Sequence, residues 1–76
     1  MQLEEIENKI KSNLNTVYVK AVDLRGGDHI QAIIVSPDFQ DKSLIEQHKI
    51  IYQILDNEIK SNEIHALTLK TYTPNQ

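Results

Sequence analysis

Apolar residues recur along this chain with two different spacings, and the change between them predicts its secondary structure. In residues 2–13 they lie three or four positions apart, which is the spacing of an amphipathic helix. In residues 16–24 they alternate along the chain, and a period of two indicates a β-strand. The helical set is Leu3, Ile6 and Ile10, and the set expected on one face of the strand is Val17, Val19 and Ala21.

A β-hairpin is predicted after the first strand. Residues 25–28, Arg-Gly-Gly-Asp, separate that strand from a second β-branched run at residues 30–36. Paired glycines accept the positive φ that tight turns require, so the two strands are expected to pair antiparallel. Pro37 ends the second strand because proline has no backbone N–H to donate.

A second, longer helix is predicted to begin at Ser43. Ser43 and Glu46 have the spacing of a capping box, in which each side chain accepts a hydrogen bond from the other residue's backbone amide. An apolar stripe follows, and we expect it to cover the sheet. Its members are Leu44, His48, Ile51, Tyr52, Leu55 and Ile59, broadened by Ile45, Ile50 and Ile54. A last strand is predicted at residues 64–72.

The resulting order, α-β-β-α-β, defines the expected fold class. The second strand, the long helix and the last strand form a crossover long enough for parallel pairing. We therefore predict an α+β protein, a two-layer α/β sandwich with a small mixed three-stranded sheet. With 76 residues, the chain is expected to form one domain spanning residues 1–76.

Composition narrows the classes of function. The chain has no cysteine, so it forms no disulfide and supplies no thiolate to a metal. Its net charge of −3 argues against strong nonspecific binding to nucleic acid, which depends on Lys and Arg. No apolar run approaches the length of a membrane span, and the acidic N-terminus is unlike a signal peptide. A cytoplasmic protein is expected.

The three histidines are the candidate functional residues. His29 follows the glycine turn, where either a solvated turn residue or a ligand is expected. His48 lies on the helix stripe between Leu44 and Tyr52, where a packed histidine with one hydrogen-bonded nitrogen is more common than a ligand. His65 alternates with Leu67 and Leu69 in the last strand, which places it at the inward-facing edge of the sheet. Its spacing alone is equally compatible with a buried, hydrogen-bonded side chain.

Three segments of the chain resemble the pattern of the BolA family. Residues 39–52 carry Phe, Ser, His and Tyr at the spacing of the family motif F-x-G-x-S-x-x-x-R-H-x-x-V-Y. Residues 64–67 read Ile-His-Ala-Leu and residues 71–74 read Thr-Tyr-Thr-Pro, which match the family's C-terminal motifs. Two departures from the pattern matter, because Asp41 replaces the motif glycine and Gln47 replaces the arginine.

The resemblance implies a fold like the second class of KH domain and a role in iron–sulfur or iron homeostasis and stress regulation. It implies that His65 and His29 ligate a 2Fe–2S cluster shared with a monothiol glutaredoxin, whose cysteine and glutathione supply sulfur. His48 is expected to be structural and is a secondary candidate ligand. Because neutral imidazole is the binding form, acidification toward pH ~6 should weaken such a complex. Homodimer formation by the chain alone is left open.

Three other classes of function compete with this one, namely a nucleic-acid-binding regulator, an enzyme, and a pure interaction module acting through the sheet edge or the tail at residues 72–74. The alternative is a KH-like, nucleic-acid-binding transcriptional regulator, but the chain lacks the Gly-x-x-Gly loop with which KH domains clamp the backbone. An enzyme is not expected, because capping accounts for Ser43 and the histidines do not show the H-E-x-x-H spacing of zinc hydrolases.

Overall fold

Helices cover one face of a three-stranded sheet in the computed structural model of this protein, which describes residues 2–75. The elements in chain order are α1 (Leu3–Asn13), β1 (Tyr18–Arg25), β2 (His29–Val35), α2 (Leu44–Ile54), α3 (Asp56–Lys60) and β3 (Ala66–Tyr72), with a 3-10 helix at Pro37–Phe39. The strand order is β1-β2-β3, in which β1 and β2 are antiparallel and β2 and β3 are parallel. The predicted α+β class and mixed sheet are therefore confirmed.

The turn between β1 and β2 has the conformation that its glycines allow. Gly26 and Gly27 have φ angles of 72° and 81°, a left-handed region that is costly for residues with a Cβ. Asp23 supports the turn, because its carboxylate accepts a hydrogen bond from the Gly27 amide at 3.1 Å. The ladder shifts register between Asp23 and Arg25, so that Arg25 lies opposite His29.

The hydrophobic core lies between the helices and one face of the sheet. Every second residue of β2 is buried, although its β-branched residues occupy both faces of the strand. The core side chains are Ile6, Ile10, Val19, Ala21, Ile30, Ala32, Ile34, Phe39, Ile51, Leu55 and Ile64. Val17, which was predicted to share a face with Val19 and Ala21, is 67% exposed, whereas those two residues are buried. Val17 precedes the first ladder pair, Tyr18 with Val35, so the alternation of the sheet does not extend to it.

The long second helix begins as predicted but does not continue unbroken. Ser43 Oγ accepts a hydrogen bond from the Glu46 amide at 3.1 Å, and Glu46 Oε1 accepts one from the Ser43 amide at 3.0 Å, which completes the capping box. The helix is interrupted at Leu55, where ψ is 19°. Neither a proline nor a glycine marks this break in the sequence, so the prediction of one helix to Ile59 was wrong.

The buried face of α2 is also rotated from its predicted position. Gln47 and Ile51 are buried, whereas Leu44 and Tyr52 from the predicted stripe are 60% and 44% exposed. Ile45, which was expected to widen the stripe, is 69% exposed. Apolar residues surround this helix on most sides, so their spacing alone does not determine which side faces the sheet.

A buried polar network holds α2 to the end of β3. The side chain of Gln47 donates from Nε2 to the Lys42 carbonyl at 3.0 Å and accepts at Oε1 from the Thr71 hydroxyl at 2.6 Å. Gln47 and Thr71 are both buried. Asp41, in the loop before this helix, has a φ of 63°. Glycine adopts that conformation without strain and aspartate tolerates it, which accounts for Asp41 at the family's glycine position.

Candidate metal-ligating site

His29 is the first residue of β2, and a neighbouring carboxylate orients its ring. The Nδ1 atom of His29 lies 2.7 Å from Oδ1 of Asp28. This hydrogen bond lowers the pKa of the Asp28 carboxyl below its ordinary value, and positive charge on His29 and His65 lowers it further. An ionised carboxylate only accepts hydrogen bonds, so the ring donates through Nδ1–H. In the neutral imidazole, Nε2 then carries the lone pair that a metal would need.

The backbone of Asp28 brings His65 to the same place. Its carbonyl accepts hydrogen bonds from the amides of His65 at 2.8 Å and Ala66 at 3.1 Å. Ala66 in turn lies opposite His29 in the parallel ladder of β2 and β3. Because the same residue orients one ring through its side chain and anchors the other through its carbonyl, the hairpin turn and the start of β3 are joined at Asp28.

The two imidazole rings are neighbours as a result. Their centroids are 5.6 Å apart and their planes are inclined by 53°. The side chain of His29 is 32% exposed, and His65 is exposed. Within residues 2–75, no hydrogen bond occupies either ring nitrogen of His65. The prediction that His65 is a strand residue at the inward-facing edge of the sheet was wrong, because β3 begins at Ala66 and the side chain of His65 is exposed.

This spacing fits two ligands of one metal centre. Metal–imidazole bonds are about 2 Å long, so two rings on one ion have centroids roughly 5 Å apart. His29 and His65 meet this requirement with a small adjustment, and both rings are accessible from solvent. Among residues 2–75, no group of three or more His, Asp or Glu side chains is arranged to hold a metal ion. The described chain therefore offers a pair of nitrogen donors.

His48 lies on α2, where it is partly buried and lines a shallow cavity of about 270 Å³. Leu44, Leu69 and Tyr72 are among the other residues that line this cavity. The flanking residues predicted to pack around His48, Leu44 and Tyr52, are exposed. The buried polar residue of this helix is its neighbour Gln47, which occupies the position of the family's arginine.

Asp28 is the site residue that sequence reasoning missed. The sequence alone places it in the turn at residues 25–28, whereas its carboxylate orients the His29 ring and its carbonyl holds the backbone of His65. The available signal was the adjacent pair Asp28-His29, since ligating histidines commonly donate their second nitrogen to a carboxylate.

The structure thus defines a class of protein. It is a small two-layer α+β domain with a pair of solvent-accessible histidines at the ends of neighbouring strands. The family model described as BolA-like protein matches residues 2–76. The chain is 34% identical to Protein BOLA2 of Arabidopsis thaliana, over 96% of this chain and 80% of that protein. It is 31% identical to the DNA-binding transcriptional regulator BolA of Escherichia coli K12, over 92% of this chain and 73% of that protein.

A solved structure of a BolA domain also resembles this protein in its fold. The BolA domain of SufE1 from Arabidopsis thaliana superposes with a TM-score of 0.87 at 34% identity, and the match covers 96% of this chain and 92% of that domain. The chain belongs to the BolA family. Among the helices of residues 2–75, none has the length and apolar composition needed to cross a membrane.

Proposed function

We propose that this protein is a binding module that supplies His65 and His29 as nitrogen ligands to a 2Fe–2S cluster shared with a monothiol glutaredoxin. The observation that carries the proposal is the pair of neighbouring, solvent-accessible imidazoles organised by Asp28. Membership of the BolA family supports the same role, because resemblance to this family implies a monothiol glutaredoxin as the partner. The proposal assigns the chain a binding role in iron–sulfur or iron homeostasis.

The donor set explains why a partner is needed. Protein-bound 2Fe–2S clusters take four protein ligands, usually thiolates, and imidazole can replace some of them and raise the reduction potential. This chain has no cysteine. A glutaredoxin cysteine and glutathione would supply the sulfur ligands, and the cluster would supply the one-electron redox chemistry.

The two histidines have different supports in this proposal. The backbone amide of His65 is held by the Asp28 carbonyl, which fixes where its side chain emerges. The ring of His29 is itself held through Nδ1, which presents Nε2 as the donor atom. His65 therefore serves as the ligand placed by the fold, and His29 as the ligand oriented by a neighbouring carboxylate.

The alternative, nucleic-acid binding by a KH-like clamp, draws on relatives named as DNA-binding regulators. A KH clamp requires a Gly-x-x-Gly loop. The two glycines of this chain are adjacent, Gly26 and Gly27, and they form the hairpin turn. This clamp has no counterpart in the sequence, so the cluster role is the better-supported function.

The proposal is tested by mixing the protein with a cluster-loaded monothiol glutaredoxin and recording visible circular dichroism. We expect the spectrum to change with wild-type protein, to remain that of the glutaredoxin with His65→Ala, and to change only at higher protein concentration with His29→Ala. His48→Ala is the matched control and should behave as wild type. An unchanged spectrum with wild type, or the wild-type change with His65→Ala, would contradict the assignment.

A further inference from the structure

The helices leave one face of the sheet uncovered. Two tyrosines lie on this face, one on each outer strand, and one residue of the central strand separates them. Tyr18 of β1 lies opposite Val35 of β2, and Val35 lies opposite Tyr72 of β3. Tyr18 is 51% exposed and Tyr72 is 39% exposed. Strands are about 4.8 Å apart, so the two tyrosines emerge roughly 10 Å from each other on an open surface.

A row of lysines adjoins the tyrosines on the same face. Lys20 lies opposite Ile33, and Ile33 lies opposite Lys70, so the two lysines flank an isoleucine as the tyrosines flank Val35. Both lysines are exposed. This row is two residues further along each strand, roughly 7 Å from the tyrosines.

The uncovered face has no acidic residue, although the protein as a whole is acidic. The chain has 11 acidic and 8 basic residues. None of the acidic residues occupies an outward ladder position in residues 18–22, 29–35 or 66–72. Asp38 follows β2 at the tyrosine end, and its carboxylate accepts a hydrogen bond from the backbone N–H of Asn15 at 3.2 Å. At the outward ladder positions of these ranges, the charged side chains nearest the tyrosines are therefore lysines.

We propose that this face binds single-stranded nucleic acid, with bases stacked on Tyr18 and Tyr72 and phosphates neutralised by Lys20 and Lys70. Single strands are bound by aromatic side chains that stack on bases and by cationic side chains that follow the backbone. An open sheet is suited to this task because it lets unpaired bases lie flat on its side chains. The mode differs from a KH clamp, which uses a glycine loop between helices.

Charge argues against a second copy of this chain as the occupant. Packing two such faces together would bring Lys20 and Lys70 of both copies into one interface without a carboxylate from either face. Burying unpaired charge is costly, so self-association should be disfavoured there. The histidine pair lies at the other end of β2, roughly 20 Å from the tyrosine row. Binding of nucleic acid can therefore be tested without the glutaredoxin, and its failure would leave the cluster proposal untouched.

The first test is fluorescence anisotropy of labelled oligo(dT) titrated with the full chain at low salt. Two phosphate contacts predict a slope of about −1.4 for the logarithm of affinity against the logarithm of salt concentration. The Lys20→Gln, Lys70→Gln double variant should flatten the slope toward zero, whereas Lys49→Gln, on α2, should not change it. Absence of binding, or equal affinity for duplex DNA of the same length, would overturn the proposal.

The second test uses the absence of tryptophan and the presence of only three tyrosines in the chain. In a Tyr52→Phe background, all tyrosine emission comes from Tyr18 and Tyr72, so stacking should quench it as oligo(dT) binds. Tyr18→Leu and Tyr72→Leu should each weaken binding roughly 5- to 150-fold, while Tyr52→Leu should not. Binding without quenching, or a dimer in analytical ultracentrifugation that Tyr18→Leu dissociates, would refute the assignment in favour of another occupant.

Discussion

The two ends of β3 differ in how accessible their polar side chains are to solvent. At its end, the Thr71 hydroxyl and Gln47 form a buried network in which donors and acceptors meet inside the protein. At its start, the amides of His65 and Ala66 bond to Asp28, but the imidazoles themselves remain accessible. At the end of β3, the polar side chains bond to groups within the protein. At its start, the imidazole rings keep a nitrogen lone pair that an outside partner could bind.

We expect this difference to separate the polar residues that stabilise the fold from those proposed to bind a partner. A buried polar group is costly unless it is paired, so Gln47 must be satisfied wherever the fold places it. An exposed imidazole has no such requirement, yet His29 is held in one orientation by Asp28. We therefore expect changes at Gln47 to reduce stability and spare ligand binding, and changes around His29 to do the reverse.

The largest effect is expected from Gln47→Leu. This change leaves the Thr71 hydroxyl and the Lys42 carbonyl without their partner, and the free energy of unfolding should fall by about 2–3 kcal/mol. Urea denaturation measures it. The double variant with Thr71→Val should lose less than the sum of the two single changes, because both remove the same bond. A loss below about 0.5 kcal/mol would show that the network contributes little to stability.

An effect of intermediate size, on affinity for the glutaredoxin partner, is expected from Asp28→Ala. Without the carboxylate, the ring of His29 loses its orientation, and affinity for the cluster-loaded glutaredoxin should fall roughly 10- to 100-fold. Asp28→Asn should have a smaller effect, since an amide oxygen still accepts from Nδ1–H. Titration followed by visible circular dichroism measures both. Asp23→Ala, which removes another carboxylate of the same hairpin, is the control, and an equal loss there would mean that the turn, not the orientation of the ring, matters.

The smallest effect is expected from Asp41→Gly, in the loop before α2. Its φ of 63° is strained for a residue with a side chain, so glycine should be neutral or stabilise the protein by up to about 1 kcal/mol. Asp41→Ala should instead destabilise it. Thermal unfolding distinguishes the two. If both variants lose the same stability, the aspartate side chain rather than the backbone conformation is required at this position.

Much of the fold could be predicted from local patterns. The capping box of Ser43 and Glu46 and the hairpin turn at Gly26 and Gly27 are each set by neighbouring residues, and the structure confirms both. The orientation of α2 could not be predicted in the same way. Its isoleucines lie on several sides, so only packing against the sheet decides that Gln47 is buried and Tyr52 is exposed.

The candidate site was predictable in its residues but not in its geometry. His29 and His65 were selected by resemblance to a family, and nothing in their separation along the chain indicates that their rings are 5.6 Å apart. That proximity depends on parallel pairing of β2 with β3, which places Ala66 opposite His29. The part played by Asp28 depends on the same pairing, because its carbonyl reaches the start of β3 only in the folded sheet.

The most direct test of the histidine pair is pulsed electron paramagnetic resonance of the reduced cluster in complex with glutaredoxin. The chain is labelled with ¹⁵N-histidine and the glutaredoxin is left unlabelled, so any strong ¹⁵N coupling must come from this protein. We expect such coupling in wild type, its loss with His65→Ala, and its retention with His48→Ala. A complex that forms with its cluster intact but shows no ¹⁵N coupling would contradict the account.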